Sequence, residues 1–276
     1  MKRLLKFEWN RMIQGRAFKA SLLITTLFIA LHIFYNFYLE IKGYNNGASL
    51  YNRWLGVFPL FFSGSYFFMS LPILTSMAYS WSISYDRDSG FISQIITRTS
   101  KNKYFIAKYL ISFLSGGIVF VFALILDYLF LATFIKNIIP SPTDLTTSMD
   151  PFHFCSQLYY SKPLFFCILW LITAFLWGGA MASICASVGV FIRKKVVVII
   201  IPLIIFISQS IIMNYIAHVF NIRIKGGYVL ELVWNNMLYT SSGRPSPTDI
   251  ILSNIFFILF VSTVIYIIRC RKYECL

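Results

Sequence analysis

Six apolar stretches, each close to the length that crosses a lipid bilayer, constrain this chain more than any other feature. A helix needs about 20 apolar residues to cross the hydrocarbon core. The stretches cover approximately residues 20–39, 57–81, 109–135, 164–191, 196–217 and 250–268. We therefore expect an all-α integral membrane protein with six transmembrane helices, built as a single domain over residues 1–276.

The composition excludes the other broad classes. Apolar residues make up 58% of the chain and charged residues 12%, about half of the roughly 25% charge typical of soluble proteins. Such a chain cannot cover a soluble fold with polar groups, and disorder requires low hydrophobicity. The first stretch is longer than the roughly 7–15 residues of a signal-peptide core, so we interpret it as a retained span.

The distribution of basic residues predicts the orientation. The segments on the side of both termini carry 17 Lys and Arg, whereas the opposite loops, 40–56, 136–163 and 218–249, carry 7. Because basic residues are retained on the cytoplasmic side, both termini are expected in the cytoplasm. The net charge of +14 then reflects topology and contacts with membrane lipid, and no nucleic-acid partner is expected.

Residues 1–19 have the pattern of an amphipathic interfacial helix. Its apolar stripe, at helical spacing, consists of Leu5, Trp9, Met12 and Ile13. Basic residues such as Lys6 and Arg11 are expected on the other faces, so the helix would rest in the headgroup plane. Two uses remain open: a lever joined to the first span, or a basic head that only sets the topology.

A second short helix is predicted at about 86–100, between the second and third spans. Asp86, Asp88 and Ser89 are good helix caps, and Thr99 begins a break in the pattern. The apolar stripe of this helix consists of Phe91, Ile92, Ile95 and Ile96. A solvated loop does not need these side chains. They either pack on the ends of the spans or are buried by a partner, and the pattern leaves both alternatives open.

This arrangement resembles the permease subunits of type-2 ATP-binding-cassette (ABC) exporters over nearly all 276 residues. The shared features are the interfacial helix, six spans, and a cytoplasmic coupling helix after the second span. The local match consists of Asp86, Gly90, Phe91, Ile95, Arg98, Thr99, Ser100 and Lys108. The chain departs from the family in lacking a Pro in the turn and in having Asp where Glu is common.

The resemblance implies that the coupling helix docks on a separate cytoplasmic ATPase. The implied coupling residues are Asp86, Asp88, Gly90, Phe91, Ile92, Ile95, Ile96 and Arg98, with the apolar ones as anchors and the charged ones as a rim. The chain has no G-x-x-x-x-G-K-[ST] loop, the motif that holds nucleotide phosphates. ATP and Mg would therefore be bound by the partner, and this chain would bind no cofactor and perform no catalysis.

The expected function is outward transport of a hydrophobic substrate, such as a peptide, an antibiotic or a lipid, across the bacterial plasma membrane. A second permease, identical or homologous, would complete the transporter. The alternatives are a membrane-embedded enzyme and a stand-alone secondary carrier. No H-E-x-x-H or G-x-S-x-G motif favours the enzyme, and paired broken helices typical of carriers are not evident.

Asp127 is the only carboxylate well inside a predicted span. It is either a polar contact in the translocation path or a proton relay, because buried acids in membranes are costly and often functional, or it lies near the outer half of its span, hydrogen-bonded to a neighbouring helix or reached by water. The remaining polar residues of the spans, expected to bond between helices, are His32, Asn36, Gln209 and Asn214. The scattered histidines predict no metal site, and the five cysteines form no C-x-x-C pair.

Small residues and prolines mark three of the spans. The fourth span carries small residues in two adjacent rows: Gly178, Gly179, Ala182, Ser183, Ala186 and Ser187. Such rows allow close helix approach, either at a dimer interface or within the chain. Pro59, Pro72 and Pro202 are expected to kink the second and fifth spans.

Overall fold

The computed structural model of the protein describes residues 1–43, 49–55, 62–140, 155–219 and 247–271. Within these ranges the side chains of 62–65, 209–219 and 247–254 are not described. All regular structure in the described part of the chain is α-helical, which confirms the predicted fold class at that level.

The helices follow the apolar stretches closely. They are α1 (Lys2–Gln14), α2 (Arg16–Ile41), α3 (Leu50–Arg53), α4 (Phe62–Ala78), α5 (Ser82–Asp88), α6 (Phe91–Arg98), α7 (Lys101–Leu131), α8 (Ser156–Ser161), α9 (Pro163–Gly189), α10 (Lys195–Val219) and α11 (Pro247–Arg271). Each predicted span corresponds to one of the long helices α2, α4, α7, α9, α10 and α11. The third of these begins eight residues earlier than predicted, at Lys101, so Lys108 lies inside it.

Contacts between helix ends place the start of α7 beside the end of α11, and α5 beside the end of α9. Lys101, at the start of α7, donates from Nζ to the carbonyl of Arg271 at the end of α11 (3.2 Å). Ser84 of α5 donates to the carbonyl of Ile192, just after α9 (2.8 Å). These groups define one end of the bundle, which we call the α1 end.

Three of the long helices, α2, α7 and α9, are long and apolar enough to cross a membrane. The described apolar parts of α4 and α10, at Tyr66–Ala78 and Lys195–Ser208, are shorter. The structure therefore fits a membrane-embedded protein. The full count of six spans and the cytoplasmic termini remain predictions.

The first long helix, α2, has polar residues inside and apolar residues outside. Its buried row includes Ser21, Thr25, His32 and Asn36. Its outward row includes Leu23, Leu27, Leu31 and Phe34, which are 58–70% exposed. A soluble helix shows the opposite pattern, whereas lipid accepts apolar side chains and leaves polar groups to find partners inside the bundle. This sidedness supports membrane embedding independently of helix length.

Helices α7 and α9 touch through glycine backbones. A Cβ atom added to Gly116 would lie 2.4 Å from the carbonyl oxygen of Gly178, and one added to Gly179 would lie 2.4 Å from the ring of Phe113. At Gly116 the obstacle is backbone, so a side chain does not fit there, whereas at Gly179 the ring of Phe113 would have to shift. Of the two uses considered for the small residues of the fourth span, the structure shows packing within the chain at Gly178 and Gly179.

Two predicted helices are each divided in the structure. The helix predicted at 1–19 ends at Gln14, and α2 begins at Arg16 after an extended Gly15. The helix predicted at 86–100 is replaced by α5 and α6, separated at Gly90, whose φ of +70° favours glycine. The boundaries are wrong because residue patterns indicate helical stretches but not the changes of direction that packing imposes.

The predicted proline positions are only partly described. Pro72 and Pro202 lie inside α4 and α10. Pro59 lies outside the described residues, and so do the side chains of Gln209 and Asn214.

Candidate functional site

Helix α1 packs on the chain itself and carries two charged residues inward. Its Leu5, Trp9 and Met12 contact an apolar cluster that includes Leu74 and Ile111. The stripe therefore faces protein, whereas it was expected to face the headgroups. Only its last member, Ile13, stays exposed, at 42%.

The inward side of α1 also presents Glu8, which is fully buried, and Arg11, whose side chain is 28% exposed. They meet four residues, of which Tyr79 follows α4, Asp86 lies in α5, and Tyr104 and Lys108 lie near the start of α7. We call this group the buried charge cluster. It consists of Glu8, Arg11, Tyr79, Asp86, Tyr104 and Lys108.

Lys108 is the centre of the cluster and is fully buried. Its Nζ atom lies 2.8 Å from Oδ2 of Asp86 and 3.0 Å from Oε2 of Glu8. It also lies 3.0 Å from the hydroxyl of Tyr79 and 3.1 Å from that of Ser82. An ammonium group has three protons and no acceptor, so these oxygens satisfy all of its hydrogen-bonding capacity.

Asp86 joins the cluster to α1 by a two-pronged contact. The two terminal nitrogens of Arg11 donate to its Oδ1 (2.5 Å) and Oδ2 (2.9 Å). The hydroxyl of Tyr104 donates to Oδ2 as well, at 2.6 Å. Paired Arg–carboxylate bonds of this kind fix geometry as well as charge.

The charges around Asp86 keep it ionised. Burial by itself would raise the pKa of this carboxyl, but the charge of Lys108 and the hydrogen bond from Arg11 outweigh it. The pKa of Asp86 is therefore lowered from its ordinary value of 3.8. Asp86 was predicted as an exposed cap and rim residue. That placement is wrong, because the carboxylate faces inward toward two cations.

The cluster is neutral as a whole, because Glu8 and Asp86 balance Arg11 and Lys108. Removing one member of such a buried group typically costs about 3–5 kcal/mol, since the others stay buried without compensation. The cluster therefore holds α1, α5 and the first two turns of α7 as one unit. No group of His, Cys, Asp and Glu suited to a metal ion occurs among the described residues.

Helix α6 packs its isoleucines against the same part of the bundle. Ile92 is buried, and Ile95 and Ile96 are partly buried beside it, on a cluster that includes Tyr104 and Tyr266. Of the two alternatives for this stripe, the structure shows packing on the ends of the long helices.

The remaining predicted coupling residues lie at or near the surface. Phe91 is half-buried, and the guanidinium carbon of Arg11 lies 5.1 Å from the centre of its ring. Asp88, Gly90 and Arg98 are exposed. The α5–α6 segment therefore presents a polar face outward, whereas its apolar face is already used within the chain.

Asp127 forms a second buried polar group, at the other end of α7. Its Oδ1 lies 2.8 Å from Nδ1 of His32 on α2, and its Oδ2 accepts the backbone N–H of Leu55 (2.8 Å). Nδ2 of Asn36 lies 3.3 Å from the other ring nitrogen of His32. Of the two interpretations of Asp127, these contacts favour the anchoring one.

Leu55, one of the partners of Asp127, belongs to a segment that folds back along α7. Leu50 packs on Leu131 near the end of α7, whereas the indole N–H of Trp54 donates to the carbonyl of Leu124 (3.0 Å). The segment 49–55 therefore descends about two turns along the helix. Non-helical backbone at membrane depth is tolerated only when protein groups satisfy it, and the carboxylate of Asp127 does this for Leu55.

The two polar groups are separated by about the thickness of a membrane core. Lys108 and Asp127 are 19 residues apart on α7, which corresponds to about 28 Å along a helix. The hydrocarbon core of a bilayer is about 30 Å thick, and residues 109–126 contain no charge. Both groups therefore fall at the edges of a charge-free span.

The sequence patterns did not indicate Glu8 and Arg11 as site residues. A signal for Glu8 was present: it is the only acidic residue in 1–19, and helical spacing places it beside Leu5 and Met12. A lone acid within an apolar stripe needs a buried cation, and Lys108 just before an apolar stretch is a candidate. Arg11 carried no comparable signal.

Comparison with protein-family models, with curated proteins and with solved structures gives no match for this chain.

Proposed function

We propose that this chain is the membrane-spanning subunit of an ATP-driven exporter and that a separate ATPase binds at the α1 end. Because the chain lacks a phosphate-binding loop, ATP and Mg²⁺ would be bound by that partner. The movement driven by ATP would then have to reach the long helices through the segments that lie outside them. The α5–α6 segment is the best candidate for this entry point.

The observation that carries the proposal is a continuous set of contacts from α6 to the base of α7. Arg11 lies over Phe91 at the start of α6 and binds Asp86, which in turn binds Lys108 within α7. A displacement of α6 would therefore move α1 and α7 with it. Charge-assisted hydrogen bonds are short and directional, which suits such transmission.

The docking surface we propose is the outward polar face of α5 and α6. Its exposed residues are Asp88, Ser93, Gln94, Thr97 and Arg98. The apolar anchors expected from the sequence pattern are less suitable, since Ile92 is buried within the chain. Phe91, half-buried at the edge of this face, is the apolar side chain that remains within reach of a partner.

The charge-free middle of α7 supports a hydrophobic substrate, such as a peptide, an antibiotic or a lipid. A second permease, identical or homologous, would complete the transporter, and the bacterial plasma membrane is its proposed location. A stand-alone carrier would place buried charges near the middle of the bundle. Lys108 and Asp127 instead mark the two ends of a charge-free stretch.

Affinity purification of the tagged full chain from its own cells tests the proposal. We expect a nucleotide-binding ATPase to copurify in mild detergent and to hydrolyse ATP. Arg98→Glu combined with Gln94→Lys should reduce the retained ATPase about thirtyfold if the two form an interaction hot spot worth about 2 kcal/mol. Lys103→Glu serves as the control, because it reverses another exposed cation at the same end.

The outcomes separate the parts of the proposal. If no ATPase copurifies with the unaltered chain, the assignment as an exporter subunit is wrong. If the ATPase is retained equally by the double variant and by the control, the protein is still a permease but the docking surface lies elsewhere.

A further inference from the structure

The outward face of α1 is basic, whereas its packed face is mainly apolar. Helical geometry divides α1 into two arcs, and the inward one carries the stripe and Glu8. The outward arc carries Lys2, Arg3 and Lys6, all exposed. Leu5, Trp9 and Met12 therefore do not contact the headgroups as expected. The basic residues of the outward arc face the surroundings instead.

Two further exposed cations, Arg16 and Lys19, begin α2. Lys19 stands at the head of an outward row that continues, every four residues, with Leu23, Leu27 and Leu31. These leucines are 58–61% exposed, a surface that acyl chains cover in a membrane-embedded protein. A cation directly above an acyl-covered row lies at the level of the lipid headgroups.

All exposed charged residues of residues 1–19 are basic. Glu8 is the only carboxylate in 1–19, and it is buried against Lys108. Its negative charge therefore does not compensate the exposed cations. The buried charge cluster thus leaves the surface of residues 1–19 purely cationic.

From these observations we infer that the exposed cations of α1 and of the start of α2 form a binding site for anionic phospholipid headgroups. The site consists of Lys2, Arg3, Lys6, Arg16 and Lys19. A lipid is the occupant because the same surface continues into the exposed leucine row, which no soluble acidic partner would cover. This inference does not depend on the proposed transport function.

The test uses the full chain in nanodiscs containing phosphatidylcholine and phosphatidylglycerol in a 7:3 ratio. The protein is re-extracted in mild detergent, and the ratio of the two lipids that remain bound is measured by mass spectrometry. We expect enrichment of phosphatidylglycerol that weakens as salt is raised, because exposed charges are screened. Lys6→Gln, Arg16→Gln and Lys19→Gln together should reduce the enrichment at least tenfold, since each cation near an anionic surface is worth roughly fivefold.

The matched control neutralises three lysines outside the α1 end. Lys42, Lys136 and Lys162 are all exposed, and changing them to Gln alters the net charge equally. The charge-preserving set Lys6→Arg, Arg16→Lys and Lys19→Arg should retain the enrichment. Unchanged enrichment in the neutralised variant, or an equal loss in the control, would overturn the inference.

Discussion

The Nζ atom of Lys108 lies 2.8 Å from Oδ2 of Asp86, and neither side chain is exposed to solvent. This contact joins the third long helix to the segment that precedes it. Tyr104 reaches the same carboxylate from one turn earlier on α7. Since α1 binds there too, the strength of this pair determines how rigidly the α1 end is held.

We predict that Lys108→Met lowers the free energy of unfolding by about 3–5 kcal/mol, because Glu8 and Asp86 then stay buried without their shared cation. Denaturant unfolding of the purified protein measures the change. Lys103→Met, at an exposed position of the same helix, should stay within about 0.5 kcal/mol of the unaltered protein. Equal stability of the two variants would contradict the structural role of the cluster.

The lowered pKa of Asp86 predicts a loss of stability in acid. Below its ordinary pKa of 3.8 the carboxyl is protonated more readily in the unfolded chain than in the folded one, so stability falls as pH falls. The contribution is complete above that value and disappears as pH drops through the lower pKa of the folded state. Unfolding at pH 6, 4.5 and 3 should show a steeper acid loss for the unaltered protein than for Asp86→Asn, and parallel curves would refute the prediction.

Asp127→Asn should loosen the segment 49–55. The asparagine side chain has no charge and only one acceptor oxygen, so it cannot accept both from Leu55 N–H and from a protonated Nδ1 of His32, and an unpaired buried donor costs about 1–3 kcal/mol. Hydrogen exchange at Leu55 should accelerate and stability should fall, whereas Asp88→Asn, at an exposed site, should change neither. A variant with unaltered stability but altered transport would instead indicate that Asp127 belongs to the path.

Gly116→Ala should separate α7 from α9. The new Cβ would meet the carbonyl oxygen of Gly178 at 2.4 Å, and backbone cannot move aside as a side chain can. The control is Gly189→Ala, whose Cβ would meet its nearest neighbour at 3.5 Å, an ordinary contact. We expect the first variant to aggregate or to melt at a clearly lower temperature in size-exclusion and thermal assays, and the second to behave as the unaltered protein does.

The sequence predicted the long helices well because apolar stretches of about 20 residues favour helices that satisfy their own backbone hydrogen bonds. The end of the fourth predicted span, at 191, lies two residues from Gly189, where α9 ends. Lys101 shows where this signal fails. A helix that continues beyond the apolar stretch leaves no trace in hydropathy, and the extension is what brings Lys108 inside the fold.

The candidate site was less predictable because its pairs are distant in the chain. Glu8 and Lys108 are brought together by how α1 crosses α7, which no local pattern encodes. The sequence pattern identified the isoleucines of α6 as an apolar stripe. Whether Ile92 faces this chain or a partner depends on the shape of the surface below it, which the pattern does not give. Glu8 is the exception, since a lone acid in an apolar stripe already indicates a buried cation.

The pairing of Glu8 with Lys108 also imposes an order on biosynthesis. Glu8 is synthesised 100 residues before its partner, a delay of roughly 5–20 s at common translation rates. During that interval Glu8 can pair only with cations of its own helix, such as Arg11, whose terminal nitrogen lies 4.0 Å from Oε2 of Glu8 in the folded protein. The buried charge cluster can therefore close only after α7 has been synthesised as far as Lys108.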